Sequence, residues 1–241
     1  AMLACRGAGV VTIEGGYHGV DLGVLPVTSN DRFKAPFHSW LRNGVVAQAS
    51  FGAERGELQS CLDTLTQRKV NPVALLVEPV QGRAGGRMPP AGWLASLRTF
   101  CSEQGILLIF DEVFVGLGRC GRMSFADEVP ADLSCFGKAL GGGFPLSAVL
   151  GTKSVMDAWP ESHGEAIHTG TFFGHNYACL VGLATVKHIH NSNLAARATK
   201  VGSDALAFLT GALKDGASVR QVRGLGLLLT IEFYKDGFGV Q

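Results

Sequence analysis

Two side chains in this sequence have neighbours that suit chemistry. Asp111 closes the apolar run LLIF at 107–110, and Glu112 follows it. Lys138 stands after Cys135-Phe136-Gly137 and shortly before Gly141-Gly142-Gly143, and it is the only lysine between Lys69 and Lys153. A lysine amine in apolar surroundings is available to attack a carbonyl carbon; the alternative is a side chain that snorkels from a strand end to solvent. An ionised carboxylate at the end of a buried strand needs a cation or several hydrogen-bond donors. A protonated ring nitrogen is one such cation, bound by a charge-assisted hydrogen bond. A helix cap, or an ion pair between Asp111 and Arg119 or Arg122, is the alternative. Successive strand side chains point to opposite faces, so only one of Asp111 and Glu112 can face a ligand. An acid and a lysine at two strand ends are what a cofactor with a cationic ring and an aldehyde requires.

Other residues fit around that pair. Tyr17 and His18 follow Gly15-Gly16 at the end of a β-branched run, where an aromatic ring could stack on a planar ligand; a half-buried loop aromatic is the alternative. His168-Thr169-Gly170-Thr171 precedes a predicted helix, and its hydroxyls and N–H groups suit a phosphate, or simply cap the helix. Gly116 to Gly121 matches G-x-G-x-x-G. A dinucleotide fingerprint must open a helix, but the following MSFADEVPAD has no apolar helical stripe and contains Pro130, so this stretch reads as a loop. His163, His175, His188 and His190 lack metal-ligand spacing, and neither a Walker loop nor a nucleophile elbow is found.

The elements that must position these residues alternate between strand and helix. Strands are expected at Val10 to Ile13, at VALLV from 73, at ILLIF from 106, at Ala131 to Gly137 and at Leu146 to Gly151. Helices are expected from Glu54 to Arg68, on the stripe Trp93, Leu97, Phe100 and Cys101 ended by Gly105, and from Gly174 to about Ile189. Asn193 can cap one more, with Leu194, Val201, Ala205, Phe208 and Leu209 at helical spacing. VRGLGLLLTIEF then reads as one strand. The fold class is α/β, with a mostly parallel central sheet flanked by helices. Residues 1–192 form a large domain, and 193–241 a linking helix plus the first strand of a small one.

The bulk properties exclude several classes. A net charge of +1 with interspersed signs gives no nucleic-acid footprint. No apolar run approaches a membrane span. Six cysteines without a CxxC pair read as reduced thiols of a cytoplasmic protein. Apolar content of 46% suits a buried sheet plus a subunit interface.

The pieces GGYHG, VEPVQG, FDEVFVGLGRCGR, FGKALGGGFPLSAVLG, HTGTFFGHNYACLVGLATV and VRGLGLLL, in that order, resemble the class III aminotransferases, pyridoxal-phosphate enzymes of fold type I. The resemblance covers nearly the whole chain and implies roles. Lys138 would be the Schiff-base lysine and proton shuttle, and Asp111 would keep the pyridine nitrogen protonated. Tyr17, with His18 beside it, would lie over the ring. Thr171 would bind the cofactor phosphate of the neighbouring subunit, which makes a homodimer with its site at the interface. The reaction implied is exchange of an amino group between an amine or amino-acid donor and a keto acid. An aminomutase or decarboxylase of the same fold, and a non-catalytic truncated remnant, are the alternatives. The pattern is broken at Phe114, where many members have Gln, at Cys120, a usual Thr, and at Arg83, where members acting on ω-amino acids often have a Glu. The family also has a phosphate-cradle segment before the position of Ala1 and continues well past Gln241, so the resemblance implies a fragment.

Overall fold

The computed structural model describes residues 1–41, 44–164, 166, 168–214 and 216–234. The main sheet has six strands: β1 (Gly9–Ile13), β2 (Val46–Ala49), β3 (Pro72–Val77), β4 (Leu107–Asp111), β5 (Leu133–Phe136) and β6 (Ala148–Gly151). Their order is β2-β1-β3-β4-β5-β6. β1 through β5 are mutually parallel, and β6 pairs antiparallel with β5. The expected class is therefore observed. β2 was not among the expected strands, because VAQA is short and sits in a turn-rich stretch with no alternation to mark it.

The helices are α1 (Met2–Cys5), α2 (Asp31–Lys34), α3 (Arg55–Gln67), α4 (Trp93–Gln104), α5 (Lys153–Met156), α6 (Asn176–Asn191) and α7 (Leu194–Ala212). The expected stripe of α4 is the buried one: Trp93, Leu97, Phe100 and Cys101 all face the core. Gly105 ends this helix in the left-handed conformation, φ 65°, and its N–H reaches the Cys101 and Ser102 carbonyls. α3 buries Leu58, Cys61, Leu62 and Leu65. These join Val11, Ile13, Leu75, Val77, Leu108 and Phe110 of the sheet in one hydrophobic cluster. β3 and β4 are apolar almost throughout because helices and loops cover the central strands.

Three expectations are corrected at the C-terminal end. VRGLGLLLTIEF is two strands, β7 (Val219–Leu225) and β8 (Leu228–Phe233), which form an antiparallel hairpin. A two-residue turn joins them, and Gly226 at φ 56° supplies the left-handed residue that such turns need. Asn193 precedes α7 in the left-handed conformation and makes no side-chain cap bond. The buried face of α7 is Ala198 and Gly202, whereas Val201 and Phe208 are exposed. The hairpin turn approaches so closely that a Cβ on Gly202 would overlap the Gly226 carbonyl oxygen. Only the small residues fit there, so the larger apolar ones lie on other faces.

Glu112 ties the loop after β4 to the core. Its side chain is buried, and its oxygens accept the Ser124 hydroxyl and the Phe125 N–H, the latter at 2.8 Å. Burial pushes its carboxyl pKa up, against the pull of those donors. A carboxyl whose pKa is raised by folding stabilises fully below its unfolded pKa, and that contribution is lost as pH rises through the folded value. Glu112→Gln should cost about 1–3 kcal/mol near pH 4, because one buried donor loses its acceptor. The deficit relative to the unaltered protein should shrink as pH is raised towards 7. Urea titrations of both proteins across that range check it, and a widening deficit would show that the donors outweigh burial.

Candidate active site

Because β1, β3, β4 and β5 are parallel, their carboxyl ends lie on one edge of the sheet. The chain leaves β1 to form β2 on one side and β3 on the other, and such a switch in strand order opens a crevice outside the strand ends. Here the crevice is a cavity of about 410 Å³ whose lining includes Tyr17, His18, Glu78, Arg83, Asp111 and Lys138.

Asp111 is the last residue of β4, and its side chain is 12% exposed. Its Oδ2 lies 2.8 Å from His18 Nδ1, and its Oδ1 accepts the Val113 N–H at 3.1 Å. A carboxylate oxygen only accepts, so the proton between the two side chains is on Nδ1. Arg119 and Arg122 do not pair with Asp111; Arg122 is bonded to Glu128 instead. Glu112 points to the other side, as strand alternation requires.

His18 is held at its backbone too. Its N–H donates to Thr28 Oγ1, and that hydroxyl donates to the Gly19 carbonyl. Its ring is nearly fully buried, and Nε2 has no partner among the described residues. The Tyr17 N–H donates to Glu78 Oε2 at 2.9 Å. The Tyr17 ring meets Phe33 edge-on at 5.8 Å, and the Arg83 guanidinium lies 4.4 Å from its centroid.

Glu78 follows β3 directly and is 5% exposed. Burial pushes its pKa up, opposed by the Tyr17 N–H and by His18 and reinforced by Asp111. Glu78 was not among the sequence candidates. The signal was available: like Asp111, it is a carboxylate standing at the end of a continuous apolar strand.

Lys138 opens a 3₁₀ turn (Lys138–Gly141) two residues beyond β5. Its φ of 44° is a left-handed conformation that costs an L-residue about 1–2 kcal/mol. Nζ lies 4.8 Å from the centroid of the Phe114 ring and has no carboxylate partner among the described residues. Within this chain Lys138 is exposed rather than enclosed by apolar groups. Phe114 occupies space that Gly82 leaves open, since a Cβ there would overlap its ring. Thr171 is exposed, in a turn before α6, and does not line the cavity.

Cys120 is in the core with its thiol pushed up to about 11 by burial, and Cys135 is likewise at about 11 through burial and the nearby Asp111 and Glu112. Neither is a thiolate nucleophile at neutral pH. All six cysteines are free, although Cys179 is exposed rather than buried. Among the described residues, no group of His, Cys, Asp and Glu could hold a metal ion, and no helix is long and apolar enough to cross a membrane.

Comparison with known proteins places the chain in a family. The family model "Aminotransferase class-III" matches residues 4–238. A putrescine aminotransferase of Pectobacterium atrosepticum is 37% identical over 239 residues, covering 95% of this chain and 49% of the relative. The ornithine aminotransferase of Toxoplasma gondii superposes with a TM-score of 0.86 at 29% identity, over 96% of this chain and 53% of that one. An amine transaminase from an uncultivated Pseudomonas species, solved in its PLP-bound form, superposes with a TM-score of 0.78 at 29% identity, over 93% and 56%. The chain thus spans about half the length of the relatives it matches. With its ordered motifs, its switch-point cavity and the match over 4–238, this chain belongs to the class III aminotransferase family.

Proposed function

We propose that the protein containing this chain is a pyridoxal-phosphate-dependent transaminase, moving an amino group between an amine or amino-acid donor and a keto acid. One observation carries the reading: the His18-paired carboxylate of Asp111 and the unpaired amine of Lys138 line the same cavity. The residues fit the cofactor. Asp111 uses one acceptor position on each oxygen, and a carboxylate offers about four, so it can also accept an N–H from a pyridinium ring. Among the described residues Lys138 Nζ has no ion-pair partner, and it is able to join a carbonyl carbon.

When bound, pyridoxal phosphate supplies an electron sink that stabilises negative charge on the substrate carbon. Asp111 would hold the ring nitrogen protonated. His18 orients Asp111, so the carboxylate keeps one direction. Tyr17, held edge-on by Phe33, would offer its ring as a lid. Lys138 Nζ would be the base that takes the proton from the substrate carbon.

Thr171 is assigned to the cofactor phosphate of a second subunit in a homodimer. The support is its position beside exposed apolar side chains: Phe172, Phe173, Tyr177, Leu180 and Leu183 are all more than half exposed. The division into 1–192 and 193–241 is supported by the separate two-stranded sheet, and its last residues, 235–241, lie outside the described ones. A cytoplasmic location is supported by the unpaired thiols.

Full-length protein supplied with cofactor should show the visible absorption band of a lysine-bound pyridoxal group, and amine donors should convert it to the aminated cofactor. Lys138→Ala should abolish both the band and turnover; no band in the unaltered protein overturns the reading. Conversion to the aminated cofactor separates a transaminase from an aminomutase or decarboxylase. For the dimer, Leu180→Arg should shift sedimentation towards the monomer and weaken cofactor binding together. A variant that remains fully dimeric would remove that face from the interface.

A further inference from the structure

Arg83 brings a positive charge to the cavity that no described residue neutralises. Its guanidinium lies 4.4 Å from the Tyr17 centroid and 5.5 Å from that of Phe33. Among the described residues it makes no hydrogen bond and no ion pair. The two carboxylates of the cavity are committed elsewhere: Asp111 to His18 and Val113, Glu78 to the Tyr17 and Gly82 N–H groups. The Arg83 N–H donors are therefore uncommitted among the described residues, and the planar guanidinium fork matches a carboxylate.

The turn carrying Arg83 is held in place. Gln81 is fully buried, donates from Nε2 to the Glu14 carbonyl and pairs through its backbone with Arg87. Gly85 and Gly86 donate back to the Gly82 carbonyl, and Arg223 of β7 donates to the Gly85 and Gly86 carbonyls. Arg83 also borders a second space, of about 1280 Å³, between this turn and the hairpin. Preorganised donors lose little on binding.

We infer that Arg83 determines substrate choice: it binds the carboxylate of an amino-acid or keto-acid substrate and disfavours donors that carry a second ammonium group. The inference rests on the transaminase reading above. It assigns to Arg83 the opposite preference from the diamine named in the putrescine aminotransferase relative. A distal ammonium beside an unneutralised guanidinium is repelled, whereas a carboxylate gains charge-assisted hydrogen bonds.

The test uses full-length protein and a matched pair of donors, 4-aminobutyrate and 1,4-diaminobutane, which differ only in the distal group. Single-turnover transfer to the cofactor should favour 4-aminobutyrate. Arg83→Gln should lower its kcat/KM about ten- to hundredfold and leave that of diaminobutane unchanged or raised. Arg83→Lys, which keeps the charge without the fork, should recover part of the preference. Equal losses on both donors, or no loss on either, overturn the inference. Calorimetric titration of glutarate into cofactor-free protein is the second readout: binding should be present in the unaltered protein, absent in Arg83→Gln and partly restored in Arg83→Lys. If neither donor reacts, or no cofactor band forms and the transaminase reading falls, this titration decides alone, and unchanged glutarate binding in Arg83→Gln refutes the assignment. Cofactor Kd should stay within about threefold across the series. A large rise in Arg83→Gln would assign the guanidinium to the cofactor phosphate and overturn the inference.

Discussion

A carboxylate at the end of a buried strand cannot stand without donors, and β4 presents two in succession. The backbone sends Asp111 and Glu112 to opposite sides, and each finds its donors there. Asp111 meets His18 from the end of β1, across the intervening strand β3. Glu112 meets Ser124 and Phe125 at the far end of the loop that leads to β5. One pair of adjacent acids thus joins the site to β1 and fixes the path by which the chain reaches Lys138. Loss of either set of donors would leave a buried charge uncompensated, so site and fold depend on the same short stretch.

Parallel strands make this possible. Each of β1, β3, β4 and β5 delivers its next residues to the same edge, so Tyr17-His18, Glu78, Asp111 and Lys138 converge from positions 17 to 138. The apolar faces of α3 and α4 lock the strands in register by packing into the shared cluster. The site itself has been left polar and strained: Nε2 of His18 has no partner among the described residues, Glu78 is buried with its pKa raised, and Lys138 has a left-handed backbone. Such features persist only where a rigid surround over-determines them. Phe114 and Arg83 change the character of the cavity without changing its frame. The first puts a ring beneath the lysine amine, and the second adds a stacked cation at the mouth.

Where sequence reading succeeded and failed follows from range. The central strands and α3 and α4 were legible because a continuous apolar run, or a stripe at spacings of three and four, is a local signature of burial. β2 was not, since VAQA draws its identity from pairing with β1. The hairpin was read as one strand because Gly226-Leu227 resembles the glycine-punctuated sequence around it. On α7, helical spacing identified the helix but not its buried face, which the close approach of the hairpin turn reserves for Ala198 and Gly202.

For the site, the sequence by itself determined the α/β class, the order of the motifs, and the two candidate groups, Asp111 and Lys138. Each is marked by contrast with its immediate neighbours, and that contrast is local. Only the tertiary structure decided what those groups touch. It paired His18 with Asp111 rather than leaving it beside Tyr17, brought Glu78 into the cavity and laid Arg83 on the Tyr17 ring. It also left Lys138 open on one side and Thr171 outside the cavity. These are contacts between strand ends tens of residues apart, and they exist only once parallel pairing has brought those ends to a common edge.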